Sequence, residues 1–257
     1  MITSTSNAQV KNIINLMKKS GERKRCGLFV IEGLKMFTEI PKDRIVKIYA
    51  SESFAYDNKE LLCNYEYEMV SDTVYKQMSD TKTPQGILAT VKMLEYSLED
   101  ILSEGRTPMV VILENIQDPG NLGTIIRTAE GAGATGIIMS QDTVDKYNPK
   151  TIRSTMGALF RMPLMYTEDI MGMAEKLKQR GINLFAAHLS GKDYYYNEDM
   201  TCPMAVMIGN EGNGLTDALT GKADTLIKIP MEGQLESLNA AVSNAIILYE
   251  AARQRRG

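Results

Sequence analysis

Cysteine and histidine are scarce in this chain: 257 residues contain three cysteines, Cys26, Cys63 and Cys202, and one histidine, His188. The cysteines lie far apart without C-x-x-C spacing, which argues against structural zinc and a disulfide framework and for a reducing cytoplasm. The first residues, MITSTSNAQVKNI, lack the apolar core of a signal peptide. No window approaches the roughly 18 apolar residues of a membrane span, so no membrane association is expected. The patterns G-x-S-x-G, H-E-x-x-H and G-x-x-x-x-G-K-[ST] are missing as well. Hydrolysis through a triad, zinc chemistry and P-loop phosphate transfer are therefore disfavoured. His188 follows the strand-like run NLFAA with no partnered serine or cysteine pattern and reads as a strand-end residue.

What is present is enough apolar residue for a sizeable core, 44% of the chain, and a net charge of only -3. That balance argues against a protein that coats nucleic acid through its whole surface. The distribution is uneven. Lys11, Lys18, Lys19, Arg23, Lys24 and Arg25 face a single acid, Glu22, over residues 1–27, a balance of +5, and the chain ends in RQRRG. Charge alone leaves two readings open, solvated helix faces or a local phosphate-binding patch.

Helix-capping residues followed by Val10, Ile13, Ile14 and Met17 at helical spacing predict a first helix over 4–19. GLFVIEG, IVKIYAS, YEYEMVS and GILATVKM read as strands, with helix patterns LKMFTEI and DTVYKQMSD between them. Residues 1–95 thus form a small α/β domain. The charged, weakly periodic stretch 96–106 is the expected linker. In the second domain, 107–257, the apolar runs PMVVILEN, TGIIMS, INLFAAHL, PMAVMIGN and TLIKIP alternate with helix patterns. That alternation implies an α/β fold with a largely parallel sheet.

One match to the dinucleotide-binding pattern, GAGATG at 131–136, stands in the wrong context. A helix pattern precedes it and a strand follows it, the reverse of the order a dinucleotide fold requires. These glycines read as a helix C-cap and a tight turn into the next strand, which removes most support for a nicotinamide enzyme. Attention moves to three strand-end loops: IQDPGNLG, EGNGL and MEGQLESLN. Each alone is a good turn sequence, but three ending three strands of one domain point to a shared pocket. Their candidates are Asn121, Asn210, Ser237 and Asn239, with Arg127 in the following helix. Arg127 reads either as facing an anion or as a solvated or Glu130-paired side chain.

In order and spacing, DPGNLGTIIRTA (118–129), IGNEGNGL (208–215) and IPMEGQLESLNAAVSNAIILYE (229–250) resemble the three signature motifs of the SpoU or TrmH family of RNA ribose methyltransferases. That family belongs to the SPOUT superfamily. RKRCGLFVIEG and SDTKTPQGILATV resemble the substrate-binding domain that precedes the methyltransferase domain in ribosomal RNA members. The resemblance implies a C-terminal parallel-sheet α/β domain with a trefoil knot, preceded by a small α/β substrate-binding domain. It implies methyl transfer from S-adenosylmethionine to a ribose 2'-hydroxyl, in ribosomal RNA ahead of transfer RNA. It also implies a homodimer.

Carried over by motif, Gly209, Asn210, Ile229, Ser237 and Leu238 hold the cofactor, largely through main-chain groups. Arg127, Asn121, Glu211, Ser237 and Asn239 form the catalytic set. An arginine keeps its proton at neutral pH, so acting as a base would need a large pKa shift that binding the substrate phosphate does not; Arg127 is assigned to catalysis with either role open. Lys18, Lys19, Arg23, Lys24 and Arg25 are the RNA-binding candidates. The chain departs from the third motif by placing Ser243 and Asn244 where valine and alanine positions are usual. A non-catalytic RNA-binding protein of the same fold is the alternative from another class, disfavoured because the motif residues are intact.

Overall fold

The protein is represented by a computed structural model, described here over residues 1–102 and 105–257. It divides into two compact units, Met1–Leu94 with Asp145–Phe160, and Glu95–Val144 with Arg161–Gly257.

The first unit begins with α1 (Ala8–Lys18), N-capped by the Asn7 side chain, which accepts from the Gln9 N–H, and continues into α2 (Ser20–Cys26). Then follow β1 (Leu28–Glu32), α3 (Leu34–Thr38), β2 (Ile45–Ser51), α4 (Glu52–Asp57), α5 (Lys59–Leu62), β3 (Tyr67–Val70), α6 (Asp72–Met78) and β4 (Ile87–Lys92). The strands form a mixed sheet in the order β1-β4-β2-β3, in which β4 runs antiparallel to both β1 and β2. The helical spacing of Val10, Ile13, Leu16 and Met17 places all four in one core with Val30, Tyr49, Val70 and Leu88.

Arg23 corrects the sequence reading. It is 3% exposed, and its guanidinium donates to Asp145 Oδ2 and to the main-chain oxygens of Leu16 (2.7 Å) and Met17 (2.9 Å). A helix leaves its last carbonyls without partners, and Arg23 supplies donors for two of them in α1. It is an internal anchor, with no surface left to offer a phosphate. The six-to-one charge count could not separate it from its exposed neighbours, because burial depends on which turn of α2 faces inward.

The second unit opens with α7 (Leu98–Leu102), inside the stretch expected as linker; Leu98 and Ile101 are buried in this unit's core. Positions 103 and 104 of that stretch lie outside the described residues. Next come β5 (Met109–Leu113), α8 (Pro119–Ala132) and β6 (Gly136–Ser140). The following helix, α9 (Pro149–Thr155), belongs to the first unit. The chain continues with β7 (Leu164–Thr167), α10 (Ile170–Gln179), β8 (Asn183–Ala187), the two-residue β9 (Asp193–Tyr194), β10 (Met204–Ile208), α11 (Asp217–Thr220), β11 (Thr225–Lys228) and α12 (Ala240–Arg256).

These seven strands form one sheet in the order β7-β6-β5-β10-β8-β11-β9, and every pairing in it is parallel. Every residue of β5 and β10 is buried, as strands covered on both faces require. The decoy glycines behave as their order implied: Gly133 caps α8 with φ +85°, a conformation in which glycine carries no Cβ penalty. Because parallel strands share a direction, β5, β10 and β11 release their loops at one edge of the sheet.

Candidate active site

Past the end of β5, the Glu114 N–H donates to the Ile208 carbonyl (3.0 Å) and continues the ladder with β10 by one step. Its carboxylate accepts from the Thr216 N–H (2.7 Å) and hydroxyl (2.8 Å), holding the far end of the second motif. Asn115 then turns the chain with φ +57°, a left-handed conformation that asparagine tolerates better than most side chains. Its N–H donates to Ser140 Oγ (2.8 Å), and its carbonyl accepts from Asn210 Nδ2 (2.8 Å). Asp118 caps α8 by accepting from the Asn121 N–H (2.9 Å), and Pro119 follows at the first helical position, where a missing N–H costs nothing.

Glu211 ties the second motif to the first. Its carboxylate accepts from the N–H groups of Gln117 (3.1 Å) and Asp118 (3.1 Å) and from Asn121 Nδ2 (2.9 Å). A negative charge there also complements the positive end of α8. Burial pushes the Glu211 carboxyl up, but the hydrogen bonds from Asn121, Asp118 and Gln117 outweigh it and hold the group below the usual range. Asn121 passes the connection on, its Oδ1 accepting from Asn239 Nδ2 at 3.0 Å. Asn239 in turn caps α12, its Oδ1 accepting from the N–H groups of Ala241 (2.9 Å) and Val242 (3.3 Å). One chain of hydrogen bonds, Glu211 to Asn121 to Asn239, thus joins all three motifs and fixes the starts of both helices.

The second motif folds tightly on itself. A Cβ on Gly209 would lie 2.1 Å from Gly214 C and from Leu215 N, so no larger residue fits without moving the backbone. Asn210 and Gly214 exchange main-chain hydrogen bonds, and Asn210 Oδ1 accepts from the N–H groups of Gly212 (2.9 Å) and Asn213 (3.1 Å). The polar atoms of Asn210 are engaged in building the loop. The third motif is the opposite case. From residue 231 to 238 no main-chain group forms a hydrogen bond among the described residues. Ser237 is exposed, Ile229 and Leu238 are half-buried, and Leu235 is 71% exposed. A run of unspent donors and acceptors fits a ligand held by the main chain, as S-adenosylmethionine would be.

Arg127 lies on the exposed side of α8 and makes neither an ion pair nor a hydrogen bond among the described residues. Glu130, the alternative partner, is taken by Arg161 at 2.8 Å. One residue on, Thr128 Oγ1 accepts from Asn244 Nδ2 (3.3 Å), and Asn244 is fully buried between α8 and α12. Asn121, Glu211 and Asn239 are therefore joined to one another, and Asn210 is tied to the Asn115 carbonyl. Arg127, Ile229, Ser237 and Leu238 share no hydrogen bond with them. His188 stands apart, its Nδ1 paired with Ser190 Oγ at 2.7 Å.

Of the basic candidates in the first unit, Lys18, Lys19, Lys24 and Arg25 are exposed, and Arg25 is paired with Glu22. Sequence reasoning missed Glu114, Asn115 and Gln117. Only the asparagine carried a signal, since an Asn directly after a buried strand marks a left-handed turn.

An open parallel sheet with three strand-end loops, held by amides and by the carboxylates of Glu114 and Glu211 and including a stretch of unspent main chain, defines an α/β ligand-binding domain of the strand-end type. Comparison with known proteins makes it specific. Residues 108–249 match the model of the SpoU rRNA Methylase family, and residues 7–89 match the MRM3-like substrate binding domain. The 23S rRNA (guanosine(2553)-2'-O)-methyltransferase RlmP of Bacillus subtilis is 33% identical over 249 residues, 96% of this chain and 97% of the relative. Among solved structures, the SpoU methyltransferase AviRb from Streptomyces viridochromogenes in complex with AdoMet superposes with TM-score 0.86 at 28% identity, covering 98% of this chain and 99% of that one. The AdoMet-bound rRNA methyltransferase from Sinorhizobium meliloti gives TM-score 0.82 at 33% identity, with 98% and 97% covered. The chain belongs to the SpoU rRNA methylase family.

Proposed function

We propose that the protein transfers a methyl group from S-adenosylmethionine to a ribose 2'-hydroxyl of ribosomal RNA. The observation that carries this reading is the hydrogen-bonded chain Glu211, Asn121, Asn239, which ties the three family motifs together, with an unspent main-chain run leading into Asn239. The preference for ribosomal over transfer RNA rests on the substrate-binding match at 7–89 and on the names of the full-length relatives.

The cofactor supplies an already activated methyl on its sulfonium, so the protein's main task is alignment. The main chain of 231–238, with Ile229, Ser237 and Leu238, holds it, while the closed loop of Gly209 and Asn210 shapes the adjoining wall. Arg127, exposed and unpaired among the described residues, binds the phosphate beside the target ribose and sets the hydroxyl in line. Glu211 is a clamp. Its carboxylate holds the N–H groups of Gln117 and Asp118 and the amide of Asn121, and so keeps the first and second motifs in register.

Val242 and Tyr249, two turns apart on α12, are 46% and 49% exposed, an apolar stripe that supports a homodimer. Three free cysteines suit a reducing cytoplasm. Arg127→Ala tests the assignment: methyl transfer to RNA should be lost while S-adenosylmethionine binding, read by calorimetry, is retained. Full activity in that variant removes Arg127 from the reaction.

A further inference from the structure

The first unit contains a cavity of about 480 Å³, within the range of sites that take a small organic group. It lies among the ends of β2 and β4 and the first turns of α4 and α6, and neither the family motifs nor the basic helix α2 contributes to it. Its walls are held in place. The loop before β4 is pinned where Glu32 accepts from Ser79 Oγ, the Asp80 N–H (3.1 Å) and Thr81 Oγ1 (3.2 Å). Gln85 Oε1 accepts from the Leu34 N–H at 2.7 Å. On the opposite side Ser51, 3% exposed, accepts from the Phe54 N–H (3.2 Å).

Within this hydrogen-bonded frame the recognition groups are only partly used. Asp72 Oδ1 accepts from the Ser53 N–H (3.2 Å) and hydroxyl (2.7 Å), and the Ser51 hydroxyl also helps to lower its pKa; Oδ2 is the oxygen that neither Ser53 group occupies. Asn58 spends its amide N–H on the Phe54 carbonyl (3.0 Å) and keeps its oxygen. Gln85 keeps its amide N–H groups. Lys76 and Lys82, both exposed lining residues, have no ion pair among the described residues. Hydrogen bonds from Ser53 hold the Asp72 carboxyl below its ordinary range, so it is an acceptor at neutral pH.

We propose that this cavity takes the base of one unpaired guanine nucleotide of the RNA substrate, at a place separate from the ribose that is methylated. Two adjacent N–H donors on the Watson–Crick edge of guanine need two acceptors, and Asp72 Oδ2 and the Asn58 amide oxygen are the two left open here. Adenine, cytosine and uracil each present fewer donors there. Gln85 donates to the base oxygen, and Lys76 and Lys82 meet the flanking phosphates. The base must be unpaired, because pairing occupies that edge. This inference rests on the RNA methyltransferase reading and adds a specificity site to it.

The test uses the full-length protein and three fluorescein-labelled oligouridylates, carrying a central guanosine, adenosine or uridine, with affinity read by anisotropy. The wild type should prefer the guanosine probe about tenfold, the scale of one bidentate base contact. Asp72→Asn, which keeps an acceptor for Ser53, should erase that preference without changing the other two affinities. Lys82→Glu, at an exposed side chain without an ion-pair partner among the described residues, should weaken all three probes alike and leave the thermal midpoint unchanged. Equal wild-type affinities, or a guanosine preference that survives Asp72→Asn in a folded variant, would overturn the proposal. Methyl transfer to ribosomal RNA measured on the same preparation separates the two readings. Transfer without guanosine preference sinks only this inference, whereas a wild type that neither binds nor methylates RNA sinks the proposed function itself.

Discussion

Replacing Glu211 with glutamine changes the charge and one hydrogen-bond acceptor while keeping the side chain's shape. In the native site one carboxylate oxygen accepts from Asp118 and Asn121 and the other from Gln117. Glutamine can keep only one of these acceptors; its NH2 then faces a main-chain N–H, donor against donor. A hydrogen bond to a charged group contributes about 1.5–3 kcal/mol, and a charge at a helix N-terminus about 0.3–1 kcal/mol. Glu211 is partly open to solvent, where water screens the charge and replaces missing partners, so a destabilisation of about 1–2 kcal/mol at pH 7 is expected.

The pH dependence carries the sharper test. The folded carboxyl titrates below its ordinary value, so its stabilisation is complete above the unfolded pKa and is lost as pH falls through the folded one. The gap between wild type and Glu211→Gln in urea unfolding should therefore be full at pH 7 and shrink toward zero as the pH is lowered below about 4. A gap that stays constant across that range, or no gap at pH 7, would refute the clamp assigned to Glu211.

Other substitutions probe separate parts of the structure. Arg23→Ala strips Asp145 Oδ2 of its ion pair, leaving the carboxylate the Tyr147 N–H on Oδ1 (2.9 Å), removes donors from two α1 carbonyls, and should lower stability by about 3–5 kcal/mol in chemical unfolding. Neutralising Lys18, Lys19, Lys24 and Arg25 together should leave the unfolding midpoint in place but flatten the logarithmic salt dependence of RNA binding, by about 0.7–0.9 for each phosphate no longer neutralised. An unchanged slope would return them to a solvated face. Asn239→Ala removes the α12 cap and the tie to Asn121; it should cost about 1 kcal/mol or somewhat more, and reduce methyl transfer more than cofactor binding.

Much of the fold was legible because strands buried on both faces read as continuous apolar runs. PMVVILEN, TGIIMS and PMAVMIGN became β5, β6 and β10 almost residue for residue. The order of helix and strand around Gly131 to Gly136 was enough to reject a dinucleotide site. Other features depend on tertiary packing that local sequence does not encode. The segment Asp145–Phe160 lies between two parts of the second unit in sequence yet packs in the first. Leu98 and Ile101, with the half-buried Leu102 packed against the same core, turned a charged stretch into a core helix. The candidate site shows the same division. Spacing picked out Asn121, Glu211 and Asn239, but the bonds that join them, at 90 and 118 residues of separation, have no periodic signature. Asn210 was selected by motif, while the bonds of its side chain to Asn115, Gly212 and Asn213 appear only in the fold.

The central claim is ribose methylation, and the product's response to alkali tests it most directly. The purified protein would be incubated with methyl-labelled S-adenosylmethionine and unmodified ribosomal RNA, which is then hydrolysed to completion in alkali. Cleavage needs a free 2'-hydroxyl, so a methylated ribose protects its own phosphodiester. Label should appear in an alkali-resistant dinucleotide with the wild type, and not at all with Arg127→Ala. Label released in mononucleotides would place the methyl on a base, and an unlabelled RNA from a protein that binds the cofactor would contradict the assignment.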